Sequence, residues 1–284
     1  MSRPRVPLSI AGSDPSGGAG LQADLKVFLR FGLSGAAIPT ALTVQGPTGV
    51  RDVHEVEPKL LKAQLDTLLR DVRPAGVKVG MLPSADHVRV VARALGPLVG
   101  KKIPVVIDPV FASSSGMRLL PEDDVSDFKR QLVPLATLLT PNAHEAAELT
   151  GMSVAAVRKD SERALQELLR LGAKQVLLKG GHGSGDEAVD ILGTKEEIVI
   201  LSLKRVPRRR AVHGTGCALS SAITALLAQE ASLETATQIA KQFVHAAIEG
   251  ARPIGRGSRQ LDFTAMPQGD DEPLPADAGA SADN

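Results

Sequence analysis

Short apolar runs alternate with stretches of helical spacing along most of the chain. Residues 6–11 are apolar and closed by Gly-Ser-Asp-Pro, after which Leu21, Leu25, Phe28 and Leu29 recur at the three-to-four spacing of a buried helix face. The rhythm repeats, with strands predicted over 36–45, 76–79, 105–107, near Leu138 and over 175–178. Helices are predicted over 58–71, 85–98, 123–132, 143–150 and 161–171. Short apolar strands separated by helices argue an α/β fold, a mostly parallel sheet covered by helices on both faces.

The rhythm changes around 187–203. Two apolar runs, 188–192 and 198–203, are joined by Gly193-Thr-Lys-Glu with no room for a helix, which predicts a hairpin at a sheet edge. Then comes His213-Gly214-Thr215-Gly216-Cys217, a tight turn feeding a small-residue helix to Ala228, followed by a helix over 233–250. From residue 265 the chain turns to Asp, Glu, Pro, Gly, Ala and Ser without Lys or Arg, so a disordered tail over 265–284 is expected beyond a single domain over 1–264.

Composition narrows the function. The 284 residues are 43% hydrophobic and 23% charged, enough to bury a core. A net charge of +1 and six Phe with no Trp or Tyr leave neither the basic footprint nor the stacking platforms of a nucleic-acid binder, although Arg208-Arg209-Arg210 is a local basic cluster. One cysteine, no signal-peptide pattern and no apolar run near the roughly 20 residues of a membrane span lead to the expectation of a cytoplasmic protein without a membrane partner.

Ligands of open α/β sheets gather beyond the carboxyl ends of the strands, so those loops are read for chemistry. Gly12-Ser-Asp-Pro-Ser-Gly-Gly-Ala-Gly20 permits close approach of backbone to a ligand, with Asp24 one turn into the next helix. It is neither a Walker A loop nor Gly-x-Gly-x-x-Gly. Gln45 at a strand end can both donate to and accept from a heterocycle, or be solvated surface. Met81, beside Gly80, is equally a core residue. Asp108, Asn142 and Glu145 offer hard oxygens suited to Mg²⁺ near phosphates, while Asn142 and Glu145 also form a capping-box pattern. Lys179 adds a cation at another strand end. In the Gly214–Gly216 turn, bare amides and the helix dipole favour a phosphate or oxyanion, and the same field is expected to draw the Cys217 thiol toward thiolate. Cys217 beside glycine also fits simple packing.

The motifs Ala11-Gly-Ser-Asp-Pro-Ser-Gly-Gly-Ala-Gly-Leu-Gln-Ala-Asp-Leu-Lys26, Thr40-Ala-Leu-Thr-Val-Gln45, Lys78-Val-Gly-Met81, Asp108-Pro-Val, Thr140-Pro-Asn, Lys179-Gly-Gly-His and His213-Gly-Thr-Gly-Cys resemble, in order, the hydroxymethylpyrimidine/phosphomethylpyrimidine kinases of thiamine biosynthesis. The resemblance runs from about Val6 to Ile254. It implies a ribokinase-like three-layer sandwich, a homodimer, and transfer of the ATP γ-phosphoryl, with Mg²⁺, to a hydroxymethyl aminopyrimidine and then to its monophosphate. By the same resemblance Gly12, Asp24, Val44, Gln45 and Met81 surround the pyrimidine, and Cys217 takes the hydroxyl proton beside an anion hole of Gly214, Thr215 and Gly216. Lys179, Asn142 and Glu145 serve the nucleotide, with Asp108 and Glu145 at the metal. Pyridoxal kinases with the same cysteine-type site remain an alternative, as does a catalytically silent pyrimidine-binding regulator.

Three departures from the family pattern stand out. Ser113-Ser114-Ser115-Gly116 replaces a frequent Ala-Lys-Ser-Gly, Ala211-Val212 replaces a more polar pair, and Ala218 stands where Thr is usual. They bear on how a phosphorylated substrate is handled.

Overall fold

The computed structural model describes residues 4–180, 185–194, 196–207 and 211–265. Strand β1 (Pro7–Ser13) leads through a glycine-rich loop into α1 (Gly20–Arg30), and the chain returns as β2 (Ala36–Gly46). It reverses at once into β3 (Gly49–Glu55), then continues with α2 (Pro58–Asp71), β4 (Gly76–Val79), α3 (Ala85–Gly100) and β5 (Val105–Ile107). After a 3₁₀ turn come α4 (Val125–Gln131), β6 (Leu138–Leu139), α5 (Ala143–Thr150), α6 (Val154–Lys159), α7 (Ser161–Arg170) and β7 (Val176–Leu178). The predicted hairpin is β8 (Glu187–Gly193) and β9 (Ile198–Lys204). The last part holds β10 (Val212–His213), α8 (Thr215–Ala228), α9 (Leu233–Glu249), β11 (Arg252–Pro253) and β12 (Arg259–Gln260).

Nine strands form one sheet in the order β3-β2-β1-β4-β5-β6-β7-β8-β9. From β2 to β7 every pairing is parallel, whereas β3 at one edge and β8 and β9 at the other are antiparallel. Alternation along β5 shows how the two faces are covered. Val105 and Ile107 pack with α2, α3, α4 and α7, while Val106 points the other way, into the cluster of α1, α8 and α9. A helix matches each face by its spacing: Leu61 and Leu65 are the buried residues of α2, one turn apart. Each such Val or Leu withdrawn from water contributes about 1.5–3 kcal/mol, so the three layers are held by apolar burial on both sides.

β1 and β4 are neighbours although their connections leave in opposite directions, one to β2 and the other to β5. That switch point opens a crevice at the carboxyl ends, beside the loops after β1 and β4. Three features differ from expectation. β2 runs on into β3, whose Arg51, Asp52, His54 and Glu55 are exposed and give no apolar signal. α6 is only 6 residues long. A small second sheet, β10-β12-β11, has strands of 2 residues each. From 266 on the predicted disordered tail lies outside the described residues, as do Arg208-Arg209-Arg210 and His182. Among the described residues no helix is long and apolar enough to cross a membrane.

Candidate active site

The central turn is built on one left-handed residue. Gly214 has φ +82°, and a Cβ there would come within 1.8 Å of the Gly18 carbonyl oxygen, so only glycine lets the turn press against the first loop. The first helical bond of α8 is Ala218 N–H to the Gly214 carbonyl, at 2.9 Å. The amides of Thr215, Gly216 and Cys217 therefore precede any intrahelical acceptor and lie open to a ligand. Gly20, at φ +59°, repeats the device at the start of α1.

Two ion pairs flank this turn. Lys179 Nζ lies 2.6 Å from Asp108 Oδ1 and 3.9 Å from Glu145 Oε2. A Cβ on Gly216 would stand 3.4 Å from the same ammonium, so Lys179 lies close against the backbone at the start of α8. Burial alone would lower the Lys179 pKa, but Asp108 and then Glu145 more than offset it and hold the ammonium charged above the ordinary lysine range. Glu145 shows the opposite balance: burial pushes its carboxyl up to about 8, with Lys179 pulling down and Asp108 pushing further up. Glu145 closes the expected capping box on α5, accepting from Asn142 N–H at 2.7 Å while Asn142 Oδ1 accepts from His144 and Glu145 N–H. Asn142 Oδ1 is thus committed to the cap, and contact with a ligand falls to its NH₂ group.

Beneath the turn, Lys78 of β4 and Asp24 of α1 are both fully buried and paired at 2.8 Å. Ser9 and Ser221 also donate to Asp24, so every approach to that carboxylate is occupied. Above this pair the Cys217 thiol receives competing influences. Burial raises its pKa, Lys78 lowers it, Asp24 and Asp108 raise it, and the Gly20 N–H lowers it; the sum is a thiol above its ordinary value. The direction is opposite to the expected shift toward thiolate: burial together with Asp24 and Asp108 outweighs Lys78 and the Gly20 amide.

These groups open on a cleft of about 650 Å³. Gly12, Gln45, Met81, Asp108, Asn142, Glu145, Lys179 and the Gly214–Cys217 turn all line it. Asp24 and Val44 are not among its lining residues. Asp24 lies under the floor, locked to Lys78, and Val44 points away from the cleft with 47% of its surface exposed, because side chains alternate along β2. Sequence reading missed several lining residues. Lys78 was signalled by a lone charge inside the apolar Val77-Lys78-Val79 strand, which demands a buried partner. Asp14 folds the first loop by accepting from Ser16 and Ala19 N–H, and no local pattern separates it from an ordinary turn aspartate. At the far end, Lys241 of α9 pairs with Asp190 of β8 at 2.6 Å, a contact across 51 residues that no local pattern reports.

The arrangement puts open amides, an ammonium and a thiol at one wall of a cleft whose other walls offer a carboxamide and a thioether. Such a site suits transfer of an anionic group to a small heterocyclic ligand. A hydroxymethylpyrimidine/phosphomethylpyrimidine kinase of Rhizobium meliloti (strain 1021) is 41% identical over 254 residues, covering 89% of this chain and 94% of that protein. The phosphomethylpyrimidine kinase of Clostridium difficile 630 superposes with a TM-score of 0.74 at 39% identity, covering 86% of this chain and 99% of that one. An ADP complex of Bacillus subtilis pyridoxal kinase superposes with a TM-score of 0.83 at 32% identity, covering 93% and 98%. The phosphomethylpyrimidine kinase family model matches residues 14–262. On this match and these identities, the chain belongs to the phosphomethylpyrimidine kinase family.

Proposed function

We propose that the protein transfers the γ-phosphoryl group of ATP to the hydroxymethyl group of 4-amino-5-hydroxymethyl-2-methylpyrimidine, and then a second phosphoryl to the monophosphate. The observation that carries this reading is the convergence of Lys179 Nζ and the open amides of α8 beside Cys217. Phosphoryl transfer asks a protein mainly for positioning and for positive charge around the moving group, and that wall of the cleft supplies both. Gln45 and Met81 hold the heterocycle, Cys217 accepts the proton leaving the hydroxyl, and Gly214–Gly216 with Lys179 stabilise the charge on the transferring oxygens. The family and the ADP complex of the B. subtilis relative support ATP as the donor.

Asp108 and Glu145 fit a magnesium ion by charge and by donor type. Two buried carboxylates share one lysine, and burial, followed by the Asp108 charge, pushes the Glu145 carboxyl up to about 8, a cost that a cation between them would offset. With Asp108 and Glu145 as its protein ligands, the ion would neutralise phosphate charge during transfer. The same reading includes the homodimer and the cytoplasmic setting expected from the sequence.

Similarity to a pyridoxal kinase favours one second reading, activity on a pyridine vitamin. One experiment separates the two: ADP release measured with Mg-ATP and hydroxymethylpyrimidine, pyridoxal, pyridoxine or ribose. Turnover with the pyrimidine at least tenfold above the others is expected. Preference for pyridoxal would replace the first reading by the second, and no turnover with any of them would overturn both.

A further inference from the structure

His213 stands at a junction that the reaction described above leaves unused. β10 places it beside Gln260 of β12, and its ring reaches three other segments. Nε2 lies 3.2 Å from Asp14 Oδ2 and 2.8 Å from Gln45 Nε2, and Nδ1 lies 3.3 Å from Ser114 Oγ. The other end of the Gln45 amide, Oε1, is 3.1 Å from Thr43 Oγ1, and Thr43 Oγ1 donates to the Ser13 carbonyl at 2.7 Å.

Hydrogen counting decides what these contacts are. A hydroxyl owns one hydrogen, so once Thr43 gives it to Ser13, Thr43 can only accept from Gln45. Asp14 is an acceptor, since its two carboxylate oxygens already take backbone N–H groups, Oδ1 from Ser16 at 2.9 Å and Oδ2 from Ala19 at 2.8 Å. His213 Nε2 must then carry hydrogen, and Gln45 must offer Nε2 an acceptor. A half-turn of the carboxamide meets both demands, with C=O on His213 and NH₂ on Thr43. The opposite orientation sets two acceptor pairs face to face: Thr43 against the Gln45 carbonyl, and His213 Nε2 against Asp14. In the consistent arrangement the one Nε2 hydrogen is shared between the Gln45 carbonyl at 2.8 Å and Asp14 Oδ2 at 3.2 Å, and Nδ1 accepts from Ser114.

We propose that His213, held by Asp14 and Ser114, is a positioning residue that fixes which way the Gln45 carboxamide faces and so which ring edge the site reads. A carboxamide has two N–H groups and two carbonyl lone pairs. Thr43 and His213 use one of each, leaving one N–H and one lone pair side by side for a ligand. That pair matches a ring nitrogen next to an exocyclic amine, the edge of an aminopyrimidine, and this step rests on the pyrimidine reading given above.

The first test needs no substrate. ¹⁵N NMR of the labelled free protein at alkaline pH should show hydrogen on His213 Nε2 alone; hydrogen on Nδ1 would overturn the proposal. Lack of pyrimidine turnover by the wild type would instead count against the function and leave this tautomer result standing. In steady-state kinetics, His213→Leu should raise KM for hydroxymethylpyrimidine at least tenfold, with kcat and KM for ATP within threefold. Thr43→Val, remote from the Gly-Thr-Gly turn, should act in the same direction, and His213→Gln, which can place an N–H near the same point, should recover part of the loss. A fall in kcat at unchanged pyrimidine KM in both His213→Leu and Thr43→Val would overturn it.

Discussion

Cys217 is pulled in opposite directions by its surroundings. Burial, Asp24 and Asp108 raise its pKa, Lys78 and the Gly20 amide lower it, and the free enzyme therefore holds a thiol above the ordinary value. The sign sets the pH dependence. A base that must lose its proton before it can accept one becomes competent only as pH rises, so kcat/KM should climb through and beyond about 8.5, the reference thiol value. Cys217→Ala should remove this limb and cost about 10²–10⁴ in rate. A pH profile of steady-state kinetics, with circular dichroism to show the variant folded, checks both; near-full turnover by a folded Cys217→Ala would reject the proposed base. The residue and its turn were legible because Gly-Thr-Gly before a small-residue helix leaves few other structures. The direction of the thiol's shift was not, because depth of burial depends on what α1 and β4 place beneath α8, far away in sequence.

Four elements meet at one buried carboxylate. Asp24 on α1 takes Lys78 from β4, Ser221 from α8 and Ser9 from β1, so the floor of the cleft is also the fastening between helices and sheet. Removing one partner leaves an uncompensated charge with no access to water, and Asp24→Asn should cost about 3–5 kcal/mol. Replacing both, as Asp24→Leu with Lys78→Met, removes both desolvation penalties and should return most of that loss. Urea denaturation of the single and double variants measures the difference, and a single variant within 1 kcal/mol of wild type, roughly the worth of an exposed pair, would contradict it. At this scale the long elements were legible: Pro58–Asp71 and Ala143–Thr150 follow from their spacing and end signals, and the edge hairpin follows from a linker too short for a helix. The β3 strand was hidden because its exposed, charged residues carry no period-two contrast. The partnership of Lys78 with Asp24 was hidden because it spans 54 residues and is created by the sheet order.

At the scale of the molecule, one cleft runs from Gln45 and Met81 to the Lys241–Asp190 pair, so the residues proposed for donor and acceptor share a cavity in which successive transfers have room to occur. The second transfer is the more demanding, because the acceptor then brings its own charge. Where relatives often carry a lysine, this chain has Ser114, which is engaged with His213. Ser113 accepts from Met117 N–H and Ser115 from Val50 N–H, so all three hydroxyls help hold the loop against its neighbours and none brings a positive charge. Lys179 is already paired to Asp108. The incoming phosphate must then rely mainly on the open amides of α8, which bind anions without a formal charge. A missing point charge is worth about 1–3 kcal/mol, so KM for the monophosphate should be raised roughly tenfold to a hundredfold over an enzyme with lysine in that loop, while the chemistry persists. Phosphorus NMR with excess Mg-ATP should therefore show monophosphate building up first and diphosphate following. Ser114→Lys gives up the hydrogen bond to His213 but restores the charge, so it should lower KM for the monophosphate relative to KM for hydroxymethylpyrimidine in the same variant. Monophosphate alone at millimolar substrate would show that the chain stops after one transfer, and that its serine loop has changed the reaction and not merely its affinity.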